Sequence, residues 1–314
     1  MLSSVQDWLL EPSDPSVRFR TRTELLGHEF TSPELADYKR QILESAPVRN
    51  LFAKMHPDGY WLHKKKGTTE YIGAGVEYAS TATTHYCLAF LSELGLTREN
   101  PLIEKAAERY LNLQAADGDW LMHLSCLLGY NIKTFIKLGY RDDRRLMKSV
   151  DLLLKSCRHD GGYLCDMHEK RTGRKKPKSC IRGSVKALEA FAELGPEYRD
   201  HPACTNLVAY FLDRNGIFTR SDRLRPVNKD VLILSFPFLW NSGLLQILLS
   251  LARMGYGKDE RLQSAWNLLE SKQDKDGKYP LDWTPTQCPW KVGNRGVQNK
   301  WITFYSYLAK KYRG

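Results

Sequence analysis

Gln114-Ala115-Ala116-Asp117-Gly118-Asp119-Trp120 returns near the other end of the chain as Gln273-Asp274-Lys275-Asp276-Gly277-Lys278-Tyr279. The shared core is Asp-Gly, one spacer and an aromatic, and it occurs again as Asp160-Gly161-Gly162-Tyr163. Asp58-Gly59-Tyr60, followed by Trp61, lacks the spacer, and Asn215-Gly216-Ile217-Phe218 is a degenerate copy. Successive copies start 59, 43, 55 and 61 residues apart, the spacing of a repeat architecture. Asp or Asn before Gly ends a helix in a tight turn, because Gly accepts positive φ and the Asx side chain bonds nearby backbone. The aromatic that follows plugs the gap between consecutive helices.

Outward from these turns the pattern is helical on both sides. Amphipathic stretches with a charged face precede them at 101–114, 143–155, 258–273 and, more weakly, 200–213. More apolar stretches follow at 81–94, 123–138, 180–194, 238–254 and 298–310, and 17–26 makes a sixth. Polar-faced helices alternating with apolar ones predict two concentric layers. The expected fold is all-α: an α/α toroid of five to six hairpins, about eleven helices in all, with the apolar set around a central funnel. Residues 1–314 then form one toroid domain, an open α-solenoid being the alternative.

Composition is compatible with that object. The chain has 314 residues, 42% hydrophobic and 26% charged, so it has enough apolar material for a large core. Lys and Arg number 47 against 36 Asp and Glu, a formal charge of +11 that favours an anionic partner without choosing among them. Seven scattered cysteines and no recognisable leader point to a reducing, cytoplasmic setting. The uncharged run 231–252 is interrupted by Pro237, Asn241 and Gly243, which reads as a buried helix rather than a membrane span. Peripheral membrane contact stays open, and the oligomeric state is not encoded in any pattern.

The Gln-x-x-Asp-Gly-x-aromatic phrases resemble the QW repeats of terpenoid cyclases and protein prenyltransferase β subunits. Trp8-Leu9-Leu10-Glu11, Asp14-Pro15-Ser16-Val17-Arg18 and Thr84-His85-Tyr86 resemble bacterial prenyltransferase/squalene oxidase repeat proteins more closely. The resemblance covers nearly the whole chain and implies the toroid. It also implies a hydrophobic or prenyl-type small molecule in the funnel, with or without a diphosphate. Cyclase chemistry does not transfer with it. The Asp-x-Asp-Asp acid is missing, and so is the Asp-Asp-x-x-Asp run that holds magnesium and diphosphate. A thioester Gly-Cys-Gly-Glu-Gln is missing too.

The residues with chemistry left to offer fall around the starts of the apolar helices. Cys126, Cys165, His168 and Cys180 come from neighbouring elements near helix N-termini, where thiolate is favoured, and predict a zinc site open to the funnel. Packed core cysteine is the plainer reading. His85 and Tyr86 are candidates for acid–base catalysis, against a hydrogen-bonded core histidine. Arg182, Tyr163, Trp240 and Trp301 are candidates for binding substrate. A basic loop within 168–178 and a second cluster at Arg220, Arg223, Arg225 and Lys229 offer phosphate contacts or merely solvated charge. Basic residues concentrated in two loops, not along a repeated face, speak against nucleic acid. The expected function is an enzyme acting on a hydrophobic substrate, and the alternative is a non-catalytic toroid that holds a lipid or a protein tail.

Overall fold

A computed structural model describes residues 2–65, 67–78, 80–172, 177–286 and 290–314. Among them are fourteen α-helices, not about eleven. They are α1 (Leu2–Leu9), α2 (Pro15–Arg20), α3 (Ser32–Glu44), α4 (Ala46–Phe52), α5 (Thr84–Glu93), α6 (Pro101–Leu111) and α7 (Ser125–Lys137). The second half holds α8 (Arg144–Lys155), α9 (Asp166–Thr172), α10 (Ile181–Leu194), α11 (Pro202–Leu212), α12 (Leu244–Arg253), α13 (Gln263–Glu270) and α14 (Lys300–Arg313). A π-helical segment, Thr21–Leu25, prolongs α2. The extra helices are short ones at the N-terminus and α9, where no repeat turn marks them. Two tiny hairpins, Met55–His56 with Tyr60–Trp61 and His63–Lys64 with Tyr71–Ile72, are the paired strands of the described residues.

Six helices, α2, α5, α7, α10, α12 and α14, form the inner ring, packed in succession from α5 through α14 to α2, and each also on one outer helix. The outer partners are α3, α6, α8, α11, α13 and α1 respectively. The ring closes where the Arg20 guanidinium, at the end of α2, meets Glu93 of α5 at 3.2 Å and donates to the Tyr305 hydroxyl of α14. The α/α toroid expected from the repeats is the observed architecture. Among the described residues no helix is long and apolar enough to cross a membrane.

The repeat turns do what their residues dictate. Gly118 sits at φ +95° with its Cα against the α8 backbone, so a Cβ would lie 2.5 Å from the Lys148 carbonyl carbon. Gln114 Nε2 donates to the Gly118 carbonyl at 3.1 Å, and Gln273 Nε2 to the Gly277 carbonyl at 2.9 Å, pinning both turns alike. Trp120, Tyr163 and Tyr279 are buried plugs. The backbone N–H of Trp61, Tyr163 and Tyr279 donates to Thr84, Ser184 and Thr303 respectively, a hydroxyl in the first turns of the next inner helix.

Five inner helices start later than the apolar periodicity suggests: α5 at 84 instead of 81, α10 at 181 instead of 180, α14 at 300 instead of 298, and α12 and α7 for visible reasons. Helix α12 begins at Leu244 instead of 238, because Asn241, Ser242 and Gly243 leave the chain extended until Gly243 caps it. Helix α7 begins at Ser125 instead of 123, since Met122 and His123 both take positive φ, at 46° and 48°. That left-handed pair is held by Asp119, whose carboxylate accepts the His123 N–H at 2.8 Å. The His123 ring is clamped between Asp117 at 3.0 Å and Asp166 at 3.2 Å.

The lower part of the funnel is filled with paired charge. Glu93 meets Lys133 at 3.0 Å and Lys137 at 2.6 Å, besides Arg20. Glu189 receives Lys133, Lys186 and Gln246, each at 2.9 Å. Arg253 pairs with Glu193 and, at 3.4 Å, with Glu24. Burial would raise the Glu93 carboxyl, but Lys133, Lys137 and Arg20 outweigh it and hold it well below its usual range. The network pairs every carboxylate with a cation, and the open space lies away from it, at the N-terminal ends of the inner helices.

Candidate functional site

At that end lies a cavity of about 570 Å³. Its wall brings together seven of the ten residues singled out in the sequence: Tyr86, Cys126, Cys165, His168, Cys180, Arg182 and Trp240. Tyr86 comes from α5, Cys126 from α7, and Arg182 from the first turn of α10. Cys165 and His168 flank the start of α9, and Trp240 belongs to the extended chain before α12. Each lies at or just before a helix start because the repeat turns deliver every inner helix N-terminus to the same end of the toroid.

The other three stand elsewhere. His85 points away from the cavity and is 1% exposed, its ring 4.0 Å from Tyr86 and stacked 5.7 Å from Tyr78. Burial, with a smaller push from His63, lowers its pKa to about 3, so it is neutral near pH 7. Among the described residues neither ring nitrogen has a hydrogen-bond partner. Tyr163 is fully buried as a repeat plug, and Trp301 is buried against Phe236, stacked at 4.5 Å. Both serve packing, which the sequence pattern does not separate from cavity lining.

The sulfurs are not evenly gathered. Cys126 and Cys165 stand 3.7 Å apart, sulfur to sulfur. The two thiols share a hydrogen bond, and the backbone N–H groups of Cys126 and Ser125, at the start of the 13-residue helix α7, also point at the Cys165 sulfur. These contacts, with the nearby His168, lower the Cys165 thiol to about 6, while the Cys126 thiol is pushed up by the same bond and by burial. Tyr78, absent from the sequence reading, links Cys126 to Tyr86 through its hydroxyl. Among the described residues no group of three or more His, Cys, Asp or Glu side chains is placed to hold a metal ion. Arg182 is exposed and paired with Asp230 at 2.6 Å.

Further wall residues, Ser80, Trp283 and Thr286, come from irregular segments that no periodicity flags, while Thr81 opens the 81–94 stretch but lies before α5. Trp283 meets Trp240 edge-on at 5.4 Å. Of the basic loop, Arg174, Lys175 and Lys176 lie outside the described residues, as does Cys288; Lys170 and Lys178 are exposed. In the second basic cluster Arg220 pairs with Asp213 at 2.7 Å and Arg223 donates to Asn215 at 2.5 Å.

No protein-family model matches the chain. No curated protein matches it either. Solved structures do. A glycosyl hydrolase of family 88 from Bacteroides vulgatus is 15% identical, with a TM-score of 0.54 over 96% of this chain and 90% of that one. A protein from Actinoplanes is 14% identical over 99% of both chains, with a TM-score of 0.48. The type II terpene cyclase MstE from Scytonema is 15% identical over 84% of this chain and 96% of that one, at 0.37. At such identities the likeness is one of fold, and the first of these superpositions supports the toroid.

Proposed function

We propose that the protein is an enzyme whose cavity takes a hydrophobic, isoprenoid-sized substrate, apolar end inward and any anionic end towards Arg182. The observation that carries this reading is the cavity itself. Tyr78, Tyr86, Trp240 and Trp283 line a space large enough for a small-molecule ligand, flanked by Arg182. Aromatic faces suit unsaturated chains, and a guanidinium beside inner-helix N-termini suits phosphate or diphosphate. The Cys126, Cys165, Cys180 and His168 side chains are the ligand types zinc prefers, but among the described residues no three of them are placed together to hold one, so metal analysis of the purified protein tests that expectation separately.

Glycoside cleavage fits less well, although a glycosyl hydrolase shares the fold. That chemistry rests on paired carboxylates, and no Asp or Glu lines the cavity among the described residues. The alternative of a non-catalytic binding toroid shares the same cavity and differs only in turnover.

Tryptophan fluorescence titrated with farnesol and with farnesyl diphosphate tests the reading. Both ligands should bind, Trp240→Ala should weaken both about tenfold, and Arg182→Ala should weaken only the diphosphate, by about tenfold. Absence of saturable binding by either ligand, or equal affinities in all three proteins, would refute it. Conversion of a bound ligand, followed by mass spectrometry, separates the enzyme from the binding toroid.

A further inference from the structure

Among the cavity groups, one pair has chemistry that ligand binding does not use. The Cys126 and Cys165 sulfurs are 3.7 Å apart, in contact, and a disulfide between them needs a further approach to about 2.05 Å. The two come from elements 39 residues apart that meet at the cavity wall, Cys126 in the first turn of α7 and Cys165 just before α9. They also differ in environment. Two backbone N–H groups at the α7 N-terminus point at the Cys165 sulfur, so charge developing on sulfur during attack is best stabilised there. Cys126 is half-buried and lies in contact with it, placed as the second thiol. The Cys165 residue is only 2% exposed, so whatever reaches its sulfur through the cavity must be small.

We propose that Cys126 and Cys165 form a redox-active dithiol, closed to a disulfide by a small hydroperoxide entering through the cavity. The Cys165 sulfur attacks a peroxide oxygen, the O–O bond breaks, and Cys165 becomes a sulfenic acid while its thiol proton passes to the departing oxygen, which leaves as alcohol or water. The Cys126 sulfur then attacks the Cys165 sulfur, forming the S–S bond and breaking the S–O bond. The departing hydroxide takes the Cys126 proton as water. Two thiols and one hydroperoxide thus give a disulfide, an alcohol and a water, with two electrons passing to the peroxide. The bond crosses the cavity wall, so closure ties α9 to α7 beside Tyr78 and alters the space available to a ligand. The reaction needs no bound ligand and stands apart from the substrate reading.

The test uses the full chain treated with hydrogen peroxide and with cumene hydroperoxide, followed by non-reducing peptide mapping. The expected result is loss of two free thiols per chain, a cross-linked 126–165 peptide, and recovery of both thiols with dithiothreitol. Cys126→Ser should stop at a Cys165 sulfenic acid trapped by dimedone, and Cys165→Ser should consume peroxide at least tenfold more slowly. The wild-type map requires no variant, so a variant that fails to fold does not decide the matter. Retention of both thiols after treatment, a cross-link from Cys165 to Cys180 instead, or stoichiometric zinc that shields both sulfurs would overturn the assignment.

Discussion

Replacing His85 by Phe should make the protein markedly less sensitive to acid. The wild-type imidazole is buried among Tyr78, Tyr86, Tyr110 and Tyr130, and burial lowers its pKa from 6.5 to about 3. Below pH 6.5 the unfolded chain therefore takes a proton at this site that the folded chain refuses. Stability is full above pH 6.5 and falls as pH drops towards 3. At pH 4 the difference is about 2.5 pH units of proton binding, or about 3 kcal/mol. At 1% exposure the residue has almost no solvent screening to reduce that figure. Phe keeps a ring for the four tyrosines to pack on and removes two buried nitrogens without partners among the described residues. The assay is urea unfolding followed by tryptophan fluorescence at pH 7.5, 6, 5 and 4 on both proteins. Carboxylates titrate in both and cancel in the difference. The gap between the curves should widen by about 3 kcal/mol from pH 7.5 to pH 4 in favour of the variant. Parallel curves would show that His85 is reached by water, and the argument that it is no acid or base at working pH would fall with it.

Tyr163→Ala removes a fully buried plug and should cost about 3–5 kcal/mol, a fall of about 5–8 °C in Tm for a chain of this length, whereas Tyr163→Phe should cost under about 1 kcal/mol. Equal melting of the Ala variant and the wild type would deny the plug its role. Glu93→Gln leaves Arg20, Lys133 and Lys137 without their shared anion and should destabilise by about 3–5 kcal/mol in denaturant unfolding; no change would mean that water already compensates those cations. Burial lowers Lys137 to about 8 against 10.5 when unfolded, so the unfolded chain binds the extra proton between those values. Stability should therefore rise from pH 8 to 10.5 by up to about 3 kcal/mol, and Lys137→Met should abolish that rise; identical slopes would contradict the shift.

The architecture was legible because its signals are local. Each Asp-Gly-x-aromatic phrase states a turn, a helix end and a plug within a few residues, and five copies with alternating polar and apolar helices leave a toroid as the simplest closure. The same locality explains why Cys126, Cys165, His168, Cys180, Arg182, Tyr86 and Trp240 were found: every repeat turn delivers its residues to one end of the ring. Tyr163 and Trp301 show the limit, since an aromatic on an inner element can face a neighbouring helix or the cavity, and periodicity fits both. The charge network escaped notice although Lys133, Lys137, Lys186 and Glu189 are isolated charges on apolar helices, because their partners are far away in sequence.

What the sequence by itself determined is the repeated helical hairpins, their order and the end of the toroid at which functional groups collect. Tertiary structure alone decided which side chains meet. Ring closure sets the Arg20–Glu93 pair, the approach of α7 to the chain before α9 sets the 3.7 Å between two sulfurs, and the gathering of Tyr78, Tyr86, Tyr110 and Tyr130 sets the burial that keeps His85 neutral. Such contacts depend on distances between segments far apart along the chain, and distance and burial set proton affinity and reactivity in a way that residue type and spacing do not.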